Sequence, residues 1–150
     1  MERKEFLRSL GVGAAFALTF PCLNGCTDYS GNDDVPLEDR EDIPSGVDFT
    51  IDLSSSEGQQ LANNGSYIIK DSVVVVKNLE GSFVAASQVC SHQQTPNVTF
   101  LSNSGDGVFG CSTHGARFDQ AGQPLNSVTS NPLKIFNTEL SGEILRVFES

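Results

Sequence analysis

Cys90-Ser91-His92 and Cys111-Ser112-Thr113-His114-Gly115-Ala116-Arg117-Phe118-Asp119 are the stretches on which the reading of this chain turns. Each sets one thiol beside one imidazole, and these are the only two histidines among 150 residues. Eighteen residues, Gln93 to Gly110, lie between them. Thiol and imidazole together suit the softer transition metals. A zinc-stabilised, non-redox binding module is one use of such a set. Zinc frameworks, however, usually run Cys…Cys and then His…His, whereas here the order alternates. A disulfide between Cys90 and Cys111 is another use, in keeping with an exported chain, but it leaves both histidines idle.

The two patterns resemble the Rieske 2Fe–2S signature, C-x-H…C-x-x-H, and Gly115-Ala116-Arg117-Phe118-Asp119 is close to the run that follows it in that family. The resemblance spans roughly Tyr67 to Phe148. It implies one 2Fe–2S cluster, with Cys90 and Cys111 on one iron and His92 and His114 on the other, nearest solvent. Two ferric ions, two sulfides and two thiolates sum to zero charge. Four thiolates would leave the same cluster doubly negative and harder to reduce. Neutral histidines therefore lift the potential into a window of about −150 to +300 mV. Each loop supplies one ligand to each iron, so the cluster clips the loops together.

The same resemblance implies an all-β Rieske fold of stacked antiparallel sheets with a small cluster-binding subdomain. It also assigns Gly122–Leu133 to a proline-containing loop over the cluster, in which Pro124 and Pro132 stiffen the backbone. Two departures from the quinol-oxidising members stand out. Thr95 and Thr113 occupy the positions of a disulfide found there, and Ala116 and Phe118 replace a serine and a tyrosine. The lost hydroxyls would have donated to cluster sulfur and favoured the reduced state. Without sulfur-directed hydroxyls the expected potential falls in the lower part of the window, roughly −150 to 0 mV. An oxygenase catalytic subunit would need a second iron site with two further histidines, which the chain lacks.

The ends of the chain suggest export. Arg3, Lys4 and Arg8 precede a 14-residue apolar stretch, Leu10–Leu23, which is short for a membrane span. Leu23-Asn24-Gly25-Cys26 resembles a bacterial lipobox, whose cysteine is lipidated after cleavage, and Arg3–Arg8 resembles a twin-arginine signal. The alternative is an uncleaved anchor. The expected division is residues 1–25 as export signal, 26–46 as an acidic flexible tether and 47–150 as the Rieske domain. Seven acids against one base, Arg40, between Asp28 and Asp42 bury too little apolar surface to order themselves. The location implied is the outer, periplasmic or cell-surface side of a membrane, held by lipid on Cys26.

Beyond residue 25 there remain six basic and seventeen acidic residues, a net charge of −11. Nucleic acid is excluded as a partner, since phosphate binding needs clustered Lys and Arg. Strands are expected at Phe49–Leu53, Tyr67–Lys70, Val73–Lys77, Phe83–Ser87, Lys134–Asn137 and Glu143–Phe148, with turns at Asp71-Ser72, Glu80-Gly81 and Ser141-Gly142. The four valines of Val73–Val76 point to a strand buried on both faces. Val89 leads directly into the first motif and Val108–Gly110 into the second.

The functional expectation is a one-electron carrier with redox proteins as donor and acceptor and no catalytic residues of its own. The alternative is the Rieske small subunit of a larger exported oxidoreductase, of the arsenite oxidase or quinol–cytochrome c reductase kind.

Overall fold

The valine run is the spine of the molecule. In a computed structural model, which describes residues 39–150, Val73–Lys77 forms a strand in which all four valines are fully buried. Side chains alternate along a strand, so the run serves two cores at once. Val73 and Val75 pack with Ile51, Leu61, Ile68, Phe136, Leu145 and Val147. Val74 and Val76 pack with Val98, Phe100, Phe109, Phe118 and Leu133 on the other side. Burying one such valine stabilises the fold by roughly 1.5–3 kcal/mol.

Nine strands make two antiparallel sheets among the described residues. They are β1 (Asp48–Asp52), β2 (Tyr67–Lys70), β3 (Val73–Lys77), β4 (Phe83–Ser87), β5 (Val98–Leu101), β6 (Val108–Cys111), β7 (Arg117–Phe118), β8 (Ile135–Ser141) and β9 (Ile144–Phe148). The larger sheet has the order β1-β9-β8-β4-β3-β2, and β5-β6-β7 form the smaller. The expected all-β architecture, stacked sheets with a small subdomain, is the one observed. A short 3-10 turn at Gly58–Leu61 buries Leu61 in the core of the larger sheet.

Turn chemistry sets the registers. Asp71 and Ser72 both have positive φ (50° and 58°), as a two-residue type I′ hairpin requires, and Lys70 then faces Val73. Gly142 bends β8 into β9, which pair from Ser141–Ile144 to Asn137–Phe148. β8 runs beyond the expected Asn137 because Thr138, Glu139 and Leu140 pair along β9 despite their exposed, mixed character. β5 and β7 were not foreseen. Val98 and Phe100 alternate inward as a strand should, but four residues make a weak signal directly after a motif loop. β7 is two residues long and exists only by pairing with β6.

The larger sheet hands the chain to the smaller at one place. Beyond β4 the Val98 N–H donates to the Gln88 carbonyl at 3.0 Å, which starts β5 alongside the first motif. Residues 41–46, where the tether was expected, run beside the domain: the Glu41 N–H donates to the Gln94 carbonyl at 2.8 Å and Lys134 Nζ to the Pro44 carbonyl at 2.8 Å. The stretches expected to be the export signal and most of the tether, with Cys26, lie outside the described residues. Among the described residues no helix is long and apolar enough to cross a membrane.

Candidate metal centre

Both motif loops are closed by the same two hydrogen bonds. In the first, the Cys90 N–H donates to the Thr95 carbonyl at 2.8 Å and the Gln94 N–H to the Cys90 carbonyl at 2.9 Å. In the second, the Cys111 N–H donates to the Ala116 carbonyl at 2.9 Å and the Gly115 N–H to the Cys111 carbonyl at 3.0 Å. Each cysteine thus bonds to the residues four and five places on, and the fourth is left-handed in both loops: Gln94 at φ 56° and Gly115 at φ 73°. Glycine adopts this conformation without cost, which accounts for Gly115 in the run after the second motif. Ser87, fully buried, braces the first loop from below, accepting from the Val89 N–H and donating to the Val89 carbonyl.

Matching loops bring like with like. Cys90 and Cys111 are 1% and 3% exposed, and both are free thiols, not a disulfide. The Cys90 thiol donates to the Cys111 sulfur, which raises the Cys90 pKa and lowers that of Cys111: the first thiolate forms readily and the second reluctantly. The two imidazoles meet edge to face, with centroids 4.9 Å apart and planes at 83°. Both rings are part-exposed, yet both Nδ1 atoms are buried. His92 Nδ1 has no hydrogen-bond partner among the described residues. Such an orphaned nitrogen is costly unless something electrophilic sits in front of it.

This geometry fits a two-iron cluster. A thiol pair and an imidazole pair could hold one iron each by two ligands, and the cluster would supply a one-electron couple. Among the described residues, no three His, Cys, Asp or Glu side chains are grouped to hold a single ion.

The stretch 122–133 is tied to both loops. Ser91 Oγ donates to the Asn131 carbonyl at 2.8 Å, and Asn126 Nδ2 to the Gly115 carbonyl at 2.8 Å. Its root is narrow: Gly122 has φ 82°, and a Cβ there would lie 2.3 Å from the Leu133 carbonyl oxygen. Loop also meets loop where the family resemblance pointed to a missing disulfide. Asn97 Nδ2 donates to Thr113 Oγ1 at 2.7 Å, and Thr95 Oγ1 lies 3.6 Å from Cys111 Sγ. The expectation that no hydroxyl meets a ligand sulfur is thus wrong. Ala116 and Phe118 indeed carry none, but Thr95 reaches across from the other loop.

Residues 46–137 match the family described as Rieske [2Fe-2S] domain. The chain belongs to that family, holds one 2Fe–2S cluster and serves electron transfer through it. Among solved structures it resembles the ferredoxin of carbazole 1,9a-dioxygenase from Nocardioides aromaticivorans, at 24% identity and TM-score 0.51 over 61% of this chain and 93% of that one. A plasma-membrane Rieske protein of Synechocystis PCC 6803 is 27% identical at TM-score 0.47, over 57% of this chain and 87% of that one. Dicamba monooxygenase, 17% identical at TM-score 0.50, matches 70% of this chain along 34% of its own length. No curated protein matches the chain.

Proposed function

We propose that this protein carries single electrons between redox proteins at the outer side of a bacterial membrane, anchored by lipid on Cys26. Cys90 and Cys111 ligate one iron of its cluster and His92 and His114 the other. The observation that carries this reading is the sorting of the four side chains into a buried thiol pair and a part-exposed imidazole pair. When bound, the cluster supplies a one-electron couple. The chain shields the thiolate side from water and leaves the imidazole side for a partner.

The residues around the imidazoles say what kind of face this is. Residues 91–97, 112–116 and 122–133 include no Asp, Glu, Lys or Arg, in a chain of net charge −10. Hydrogen bonds from neutral Ser and Asn side chains, to backbone carbonyls at Asn131 and Gly115 and to the Thr113 hydroxyl, hold the three segments together. Neutral segments favour docking by shape and hydrogen bonding. The acidic 39–42 stretch, tied to the first motif loop through Glu41 and Gln94, adds charge at their edge that favours a basic partner. The outer location draws its support from Arg3–Arg8 and Leu23–Cys26.

The test is the full-length protein extracted from membranes without exposure to oxygen. It should be red-brown, contain two irons and two acid-labile sulfides per chain, give a Rieske-type paramagnetic signal on reduction, and begin at an acylated Cys26. A colourless protein holding one zinc refutes the carrier. An intact 1–25 segment refutes the lipid anchor and leaves the carrier standing.

A further inference from the structure

We propose that Thr95 is a positioning residue that raises the cluster's reduction potential through a hydrogen bond from its hydroxyl to the Cys111 sulfur. The inference rests on the ligand set proposed above. Thr95 is 3% exposed and one of three buried polar residues among those described, with Asn78 and Ser87. The other two have evident structural work. Asn78 accepts from the N–H groups of Glu80 and Ser82 within its turn, and Ser87 braces Val89. The Thr95 side chain instead presents Oγ1 to Cys111 Sγ at 3.6 Å, an ordinary separation for a hydrogen bond to sulfur.

One residue therefore touches both thiol-bearing loops. Its carbonyl takes the Cys90 N–H at 2.8 Å, and its hydroxyl reaches the sulfur of Cys111. A sulfur bound to iron carries no proton, so it can only accept and Thr95 must donate. Reduction adds one electron and no atoms. Negative charge on the sulfur grows, the Thr95 proton stays on Oγ1, and its hydrogen bond strengthens because charged acceptors bind donors more tightly. The reduced form gains more than the oxidised form, which moves the potential upward. A buried hydroxyl with no such acceptor would be a liability at this position.

The experiment is a redox titration, at one pH and with a chemical reductant, of the wild type, Thr95→Val and Thr95→Ser. Valine removes the hydroxyl and keeps the shape; serine keeps the hydroxyl and removes the methyl. Thr95→Val should shift the reduction equilibrium about tenfold toward the oxidised form, about 59 mV downward for a one-electron couple, while Thr95→Ser stays near the wild type. Thr95→Ala serves as a second hydroxyl-free variant should valine disturb cluster retention, and it should lie below serine in the same way. A wild-type potential in either hydroxyl-free variant, with iron and sulfide intact, overturns the inference. So does an equal fall in serine and valine, which would assign the effect to packing of the methyl group. A wild type without a 2Fe–2S spectrum overturns the ligand set itself, and that is visible before any variant is made.

Discussion

The two sheets solve the same packing problem with different means. The larger one has a wholly apolar core: Ile51, Leu61, Ile68, Val73, Val75, Leu145 and Val147 include no ionisable group. The smaller one includes Cys90 and Cys111 in its core, and β7 is only two residues long. What lies beyond β6 and β7 is loop, knitted by side chains that bond to neighbouring backbone or to one another. The first core is filled without a ligand. The second is built around its ligands, and the contrast teaches where stability ends and function begins. Loops that leave a strand end, as the second does from Cys111 of β6, can turn candidate ligands inward.

The largest effect that would sharpen this contrast comes from Cys111→Ser. Visible absorption should vanish. Amide hydrogen exchange should accelerate at Gln94 and Gly115, whose N–H groups close the two loops, while Val73–Val76 remain protected. Uniform loss of protection would mean that the halves form one cooperative unit.

Next come paired core truncations on either side of the spine. Phe109→Ala empties a fully buried site whose ring meets Phe100 edge to face, and should cost about 3–5 kcal/mol. Val75→Ala on the opposite face should cost about 2 kcal/mol. Denaturant unfolding gives both values. The half-life of visible absorption should shorten in the Phe109 variant and stay near wild type in the Val75 variant. Equal cluster lifetimes would break the division between the two cores.

The smallest effect lies in a part-exposed ion pair between the residue before β8 and the residue after β9. Glu149 pairs with Lys134 at 2.6 Å and accepts from the Gly46 N–H at 2.6 Å. These contacts, the lysine first, hold its pKa below the usual glutamate range. The native carboxylate keeps its charge to lower pH than the unfolded one. Its contribution is therefore complete above the unfolded value of about 4.3 and disappears as pH falls through the lowered native one. Urea unfolding of Glu149→Gln should show a small deficit at pH 7 that closes as the pH falls through the lowered native value, with cluster retention unaffected. A deficit that persists in acid would assign the loss to packing.

Much of this was legible in order along the chain, and the reasons are local. Four successive valines announce a strand covered on both sides because side chains alternate. Asp71-Ser72 and Ser141-Gly142 announce hairpins because their residue types tolerate the turns. Cys90, His92, Cys111 and His114 announce metal chemistry because few other uses need two thiols and two imidazoles in alternation. The misses are non-local. β7 acquires strand character only from its neighbour. In sequence Thr95 marks only a vacated disulfide position, because nothing near it says that its hydroxyl reaches the Cys111 sulfur.

The sequence by itself therefore determined the family signature, the strands with a clear period and the tight turns, all properties of residues within a few positions of one another. The tertiary structure alone decided the rest: that thiol meets thiol and imidazole meets imidazole, that three neutral segments share one face, and that a hydroxyl sixteen residues away meets a ligand sulfur. The physical reason is that these depend on how two loops close and where the strands beneath them pair, and hydrogen bonds between distant segments leave no period in the chain.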